Sequence, residues 1–180
     1  MTKATGPLYV VHFRRRRENK TDYEKRFALL KSGKTRLVVR KSNKFVYAQF
    51  CDFREAGDCV VASACSRELR GFGFPGKSNS PSAYLTGFLA AKRAAARGVR
   101  EFVLDIGLQA ASKGAVVFAA LKGAVDAGLN ASFSPEKIPS EERIAGKHLS
   151  EETQKKFIEA KTKIESASAA QLAQPRARKF

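Results

Sequence analysis

Residues 14–17 read RRRR, and no fold can turn four successive arginines toward one apolar core. A strand would alternate them between two faces and a helix would sweep them around most of a turn. Some of these guanidiniums must therefore meet water or a polyanion. The quadruplet is the peak of a wider imbalance. The 180-residue chain holds 34 Lys and Arg against 17 Asp and Glu, a formal charge of +17. Residues 1–44 carry fourteen of those cations and three acids, whereas the remainder carries twenty and fourteen. Such a surplus repels itself unless an anion balances it, which makes nucleic acid the expected partner and an anionic membrane surface the weaker one. No apolar run approaches the ~18 residues of a spanning helix. No signal peptide is expected, because the arginines follow the short apolar stretch 9–13 and no leader-like core is offered.

Past this charged segment the pattern is that of a folded α/β domain. Residues 1–34 read as a basic arm with a short helix from Thr21 or Asp22 to Leu30, its stripe formed by Tyr23, Phe27 and Leu30. The core is expected over residues 35–130. "RLVVRK" and "KFVYAQF" form a hairpin through Ser42-Asn43, and "DCVVASA" adds a third strand. A three-stranded meander needs a layer over one face. A helix beginning at Asn79 or Ser80 supplies it, with Pro81 in the first turn and Tyr84, Leu85, Phe88 and Leu89 inward. "EFVLDIG" is a further strand, and a helix over about 113–127 turns Val117, Leu121, Ala124 and Val125 inward. The order β-β-β-α-β-α predicts a single α/β domain with a mixed sheet, starting with hairpins and closing with a right-handed crossover. Residues 131–180 read as an irregular connection, a helix over about 151–166 and a basic tail, "AQPRARKF".

"GFGFPGKS" at 71–78 matches the phosphate-loop pattern G-x-x-x-x-G-K-[ST]. That motif works when it joins a buried strand to a helix whose first-turn amides converge on phosphate. Arg67-Glu68-Leu69-Arg70 does not read as a buried strand, and Ser80-Pro81 starts the helix late. Nucleotide hydrolysis, with Asp105 as a magnesium ligand, is thus disfavoured. A glycine-rich turn that packs Phe72 and Phe74, or one that stacks them on RNA bases beside Lys77, both fit the residue types. A nuclease would need Asp52, Asp58, Glu68, Asp105 or Asp126 to converge on metal, though each reads more simply as a turn or cap residue. Cys51, Cys59 and Cys65 have no zinc-ligand spacing and are expected as free thiols. A DNA-binding architectural protein is the remaining rival. Neither long helix carries the polar base-reading face it would need.

Five blocks carry a resemblance: "YVVHFRRRRENKTDYEKR" (9–26), "RLVVRKSNKFVYAQ" (36–49), "KSNSPSAYLTGFLAAKRA" (77–94), "VFAALKGAVDAGL" (117–129) and "SFSPEKIPSEERIAGKHL" (132–149). The chain resembles the archaeal form of the large-subunit ribosomal protein family that binds 5S rRNA, number eighteen in the universal large-subunit series. The resemblance implies a ribonuclease-H-like core without catalysis, an extended basic N-terminal arm and a C-terminal helical extension. It implies a cytoplasmic, ribosomal protein of the central protuberance, with no cofactor, metal or membrane. The implied partners are 5S rRNA, large-subunit rRNA and neighbouring ribosomal proteins. The implied RNA contacts are Tyr9, His12, Arg14, Arg15, Arg16, Arg17, Lys20 and Arg26 in the arm. Arg36, Arg40, Lys41 and Lys44 follow from the hairpin, and Lys77 and Asn79 from the glycine loop. The arm is expected to order on RNA, since its charge density opposes compaction when free.

Overall fold

A computed structural model describes residues 6–167 of the chain. The first five residues and the tail from 168 onward, including the basic stretch 173–180, lie outside the described residues. Five strands form one mixed sheet: β1 (Thr35–Lys41), β2 (Val46–Asp52), β3 (Cys59–Cys65), β4 (Glu101–Asp105) and the two-residue β5 (Asn130–Ala131). They lie in the order β3-β2-β1-β4-β5. β1, β2 and β3 are the expected antiparallel meander, and β4 and β5 join parallel to β1. Among the described residues six α-helices accompany the sheet: α1 (Arg14–Arg17), α2 (Tyr23–Leu30), α3 (Ser80–Ala95), α4 (Val116–Asp126), α5 (Glu141–Ala145) and α6 (Glu151–Ser166).

Strand alternation sets which face is dry. Leu37, Val39, Val46, Ala48, Phe50, Ala62 and Ala64 are buried beneath α3 and α4, with Phe102 edge-on to Phe50 at 5.4 Å. Every residue of α3 except Lys92 and Ala95 is buried, so it is a central helix. Its poles follow sequence signals, since the Asn79 side chain accepts the Ser82 amide at 3.1 Å and Gly98 turns the chain at φ +86°. Ile144, Phe157, Ala160 and Ile164 bring α5 and α6 into the same core, which is why α3 is covered on its outer side as well. On α4 the expected Val117, Leu121 and Ala124 are buried and Val125 packs half-buried against the core, with Phe118, Ala119 and Ala120 buried besides, so the inward face is broader than expected.

α3 and α4 cross closely. Gly87 of α3 lies against the main chain of Ala120, and Gly123 of α4 lies against the Tyr84 carbonyl. No side chain fits at either point, so the backbones themselves are in contact there. A methyl at Gly87 would stand 2.8 Å from the Ala120 carbonyl carbon and 2.9 Å from its Cα. Gly87→Ala should therefore lower stability by about 1–3 kcal/mol in urea unfolding. Gly71→Ala, where a methyl meets open space, should be close to neutral. Equal midpoints for the two variants would contradict the close crossing.

Candidate nucleic-acid interface

The arm begins with residues 6–13, all exposed, and continues into α1, where all four arginines face solvent. Like charges on one helical turn repel, so α1 is held from outside. The Arg15 Nε donates to Thr21 Oγ1 at 2.8 Å, Asn19 turns the chain at φ +50°, and the Phe13 ring lies 5.2 Å from Tyr23. Asp22 then starts α2 by accepting the amides of Glu24 and Lys25, each at 3.1 Å. Phe27, expected on the inward stripe, points outward under the Lys31 ammonium. The less exposed residues of α2 are Tyr23, Arg26, Leu29 and Leu30, because Arg26 is drawn to a carboxylate of the body.

That carboxylate belongs to an alternating chain of charges on the sheet face away from α3. Asp58 accepts Arg26 Nη2 at 2.9 Å and Arg36 Nη2 at 2.6 Å. Arg36 Nη1 reaches Asp105 at 3.1 Å, and Asp105 in turn accepts Arg40 Nη2 at 2.9 Å and the Gly107 amide at 2.9 Å. Arg36 is only 1% exposed. It therefore sits inside the fold, away from the surface where an RNA contact was expected, because β1 turns it between two acids of the β2–β3 turn and the β4 end. Arg40, at the outer end of the chain, has a side chain 44% exposed. Arg26 is half-buried at the other end.

These pairings account for the acids that a catalytic reading would require. Asp58 and Asp105 are held by arginines. Asp52 accepts the Thr35 hydroxyl at 2.7 Å, Glu68 pairs with Arg93 at 2.7 Å, and Asp126 accepts the Tyr84 hydroxyl at 2.8 Å. Among the described residues no group of three His, Cys, Asp or Glu converges as a metal site. Cys51 is buried beside this network, and burial pushes its thiol pKa up, away from a reactive thiolate.

The glycine loop follows a 3-10 helix, Ser66–Phe72, which separates it from β3. Its Lys77 amide donates to Ser82 Oγ in the first turn of α3 at 3.1 Å, so that amide does not open toward a phosphate. Phe74 is in the core and Phe72 packs against it, which decides for packing over base stacking at these two rings. Gly76 is buried where a methyl would run into the Ser66 carbonyl, so close backbone approach explains the glycine. Asn79 spends its side-chain oxygen on the α3 cap. Lys77 is exposed, and Ser78 Oγ donates to the Asn43 carbonyl at 2.9 Å, which ties this loop to the β1–β2 hairpin. Lys41, Lys44 and Lys77 are thereby gathered at one end of the sheet, with Arg67 over the Phe45 ring at 4.6 Å.

Two surface residues were not singled out from the sequence. Tyr47 is exposed opposite Arg40 on the open sheet face, with Gln49 two residues along. The alternation in "KFVYAQF" held that signal, since Val46, Ala48 and Phe50 inward place Tyr47 and Gln49 outward. Arg67 had no such signal, because its position depends on the fold of the 3-10 helix.

Fold and surface together define a basic α/β protein that displays cations on an arm, a hairpin tip and a loop, around carboxylates already engaged in ion pairs and hydrogen bonds. The family model for ribosomal large-subunit proteins 60S L5 and 50S L18 matches residues 8–100 and 94–134. The chain is 53% identical over 147 residues to the large ribosomal subunit protein uL18 of Korarchaeum cryptofilum, covering 81% of this chain and 75% of that protein. It is 48% identical over 168 residues to uL18 of Methanoculleus marisnigri, covering 93% and 96% respectively. It is 52% identical over 148 residues to uL18 of Aeropyrum pernix, covering 81% and 69%. The chain belongs to this family of ribosomal large-subunit proteins.

Two outcomes follow for the charge network. Arg36→Met removes the buried guanidinium and leaves Asp58 and Asp105 short of a partner, so stability should fall by about 3–5 kcal/mol in denaturant titration. Arg40→Met should cost far less, as expected of a side chain with an outlet to water. The second outcome concerns acid. Burial works against the ionised Asp58 carboxyl, but the Arg36 and Arg26 guanidiniums outweigh it and hold it below its ordinary pKa. The stabilisation is thus present above the unfolded value, ~3.9, and is lost as pH falls through the folded one. Melting temperature followed from about pH 7 to about pH 3 should drop below about pH 4, and Asp58→Asn should reduce that drop.

Proposed function

We propose that this chain is a structural constituent of the large ribosomal subunit, binding 5S rRNA and helping to anchor it to the large-subunit rRNA in the central protuberance. It is a cytoplasmic, ribosomal protein and not an enzyme. The observation that carries the reading is the placement of charge in a chain of this family: the four arginines of α1 are all in solvent, with Lys20, Lys41, Lys44 and Lys77 exposed nearby in sequence or space. Among the described residues no helix is long and apolar enough to cross a membrane. The core is of the ribonuclease-H-like type, a reading supported by the meander that joins parallel strands in a single sheet. Residues 1–34 act as the arm, 35–130 as the RNA-binding core, and residues 131–180 as an extension that meets neighbouring ribosomal proteins.

The division of labour follows from chemistry. Arginine contacts phosphate in bidentate fashion and stacks on bases, so α1 with Tyr9, His12 and Lys20 follows the RNA backbone. Arg26 and Arg40 reach it from the ends of the charge network, and Lys41, Lys44, Lys77 and the Asn79 amide group from the hairpin end. Arg36 serves by holding Arg26 and Arg40 in register and not by direct contact. Replacing Arg14, Arg15, Arg16 and Arg17 with alanine should weaken 5S rRNA binding by several kcal/mol and flatten the salt dependence by about three to four log-log units. The melting temperature should hardly move, since none of the four is buried. Filter binding at several salt concentrations, with duplex DNA as competitor, reads both. A preference for DNA at matched salt would favour an architectural DNA-binding protein instead.

A further inference from the structure

Between the arm and the open face of the sheet lies a cleft of about 660 Å³, walled by the α1–α2 turn and α2 on one side and by the ends of β1 and β4 on the other. Its apolar wall includes Tyr23, Leu104, Ile106 and Leu108. Its cations are Arg15, Lys20, Lys25, Arg26 and Arg40. Two acids, Asp22 and Asp105, border it, and each pairs with one of these cations, Lys25 at 3.5 Å and Arg40 at 2.9 Å. Asp22 caps α2, and Asp105 is bound by Arg36, Arg40 and the Gly107 amide. Lys20 and Arg26 pair with Glu18 and Asp58 outside the lining, and Arg15 donates to the Thr21 hydroxyl, so the cleft joins an apolar wall to an edge of five cations and two acids.

We propose that this cleft receives a single unpaired nucleotide of the bound rRNA, its base against Tyr23 and Leu108 and its phosphate among Arg15, Arg26 and Arg40. The proposal rests on the RNA-binding reading and adds a built pocket to it. Three features favour this ligand. The volume falls within the ~300–1,000 Å³ of clefts that enclose small ligands and is far too small for a duplex. Bases turned out of loops and bulges are held by stacking on aromatic rings while their phosphates meet basic side chains. Arg26 and Arg40 are the two ends of one ion-pair chain, so the fold fixes the spacing between the cations before any RNA arrives. Preorganised cations lose less freedom on binding than free surface lysines.

Leu108→Trp fills the cleft at a residue that is 53% exposed, and Ile158→Trp adds the same ring on α6 at a residue 62% exposed. Circular dichroism checks that both fold. Each variant is assayed for 5S rRNA affinity. The native protein is also crosslinked by ultraviolet light, once with 5S rRNA alone and once within assembled large subunits, and the crosslinked peptides are identified by mass spectrometry. For a nucleotide of 5S rRNA, Leu108→Trp should weaken binding about tenfold or more with an unchanged salt slope, Ile158→Trp should not, and Tyr23 should crosslink in both samples. For a nucleotide of large-subunit rRNA, affinity for 5S rRNA is kept and Tyr23 crosslinks only in the assembled subunit. Absence of a Tyr23 crosslink from both samples, with full affinity in Leu108→Trp, overturns the proposal. Failure of the native protein to bind 5S rRNA at all would instead remove the underlying reading.

Discussion

Arg36 is the residue on which the rest of the structure depends. A guanidinium taken out of water is costly unless its charge is matched. Here Asp58 and Asp105, from two separate parts of the chain, match it through Nη2 and Nη1, while the buried Nε has no hydrogen-bond partner among the described residues. Each of those carboxylates then holds a further arginine, Arg26 or Arg40. One buried cation thus links β1 and β4, secures the β2–β3 turn and fastens α2 to the sheet. Removing Arg36 would leave both acids short of a partner, whereas Arg40, with its outlet to water, could be lost at far smaller cost.

This arrangement separates two uses of the same residue type. The arginines of α1 lie in water, where Arg14 meets Glu18 at 3.7 Å and Arg15 donates to the Thr21 hydroxyl, and none reaches across the core. Arg36 and Arg93 are spent internally, Arg93 on Glu68 and the Ser63 carbonyl. Arg26 and Arg40 stand between the two groups, since each is anchored by a carboxylate while bordering the cleft. An overall charge of +17 consequently overstates no single surface. What matters to a polyanion is the subset left without carboxylate partners.

The glycines show the same contrast between pattern and place. "GFGFPGKS" has the letters of a phosphate loop, but its amide at Lys77 faces Ser82 and its Gly76 admits the Ser66 carbonyl. Gly87 and Gly123 lie in helices, where glycine costs stability, and their reason is the contact between two helix backbones. In each case a neighbour distant in sequence makes the small residue necessary.

Much of the architecture was legible in the residues. Period-two runs marked β1, β2 and β3, Asn79 and Pro81 marked the start of α3, and Gly98 and Gly128 marked helix ends, because these signals act within a few residues. The segregation of charge toward the first 44 residues was equally local. Other features were decided only in three dimensions. The outward turn of Phe27, the burial of Arg36, the close crossing of α3 and α4 and the cleft beside Tyr23 all depend on partners tens of residues away. Periodicity states that a side chain leaves the helix or strand on a given side; it does not state whether an acid, a backbone or water waits there. The amino-acid sequence by itself determined the elements, their order and the concentration of cations in the first 44 residues, and tertiary structure alone decided which cations were neutralised, because ion pairing depends on distance in space and not on separation along the chain.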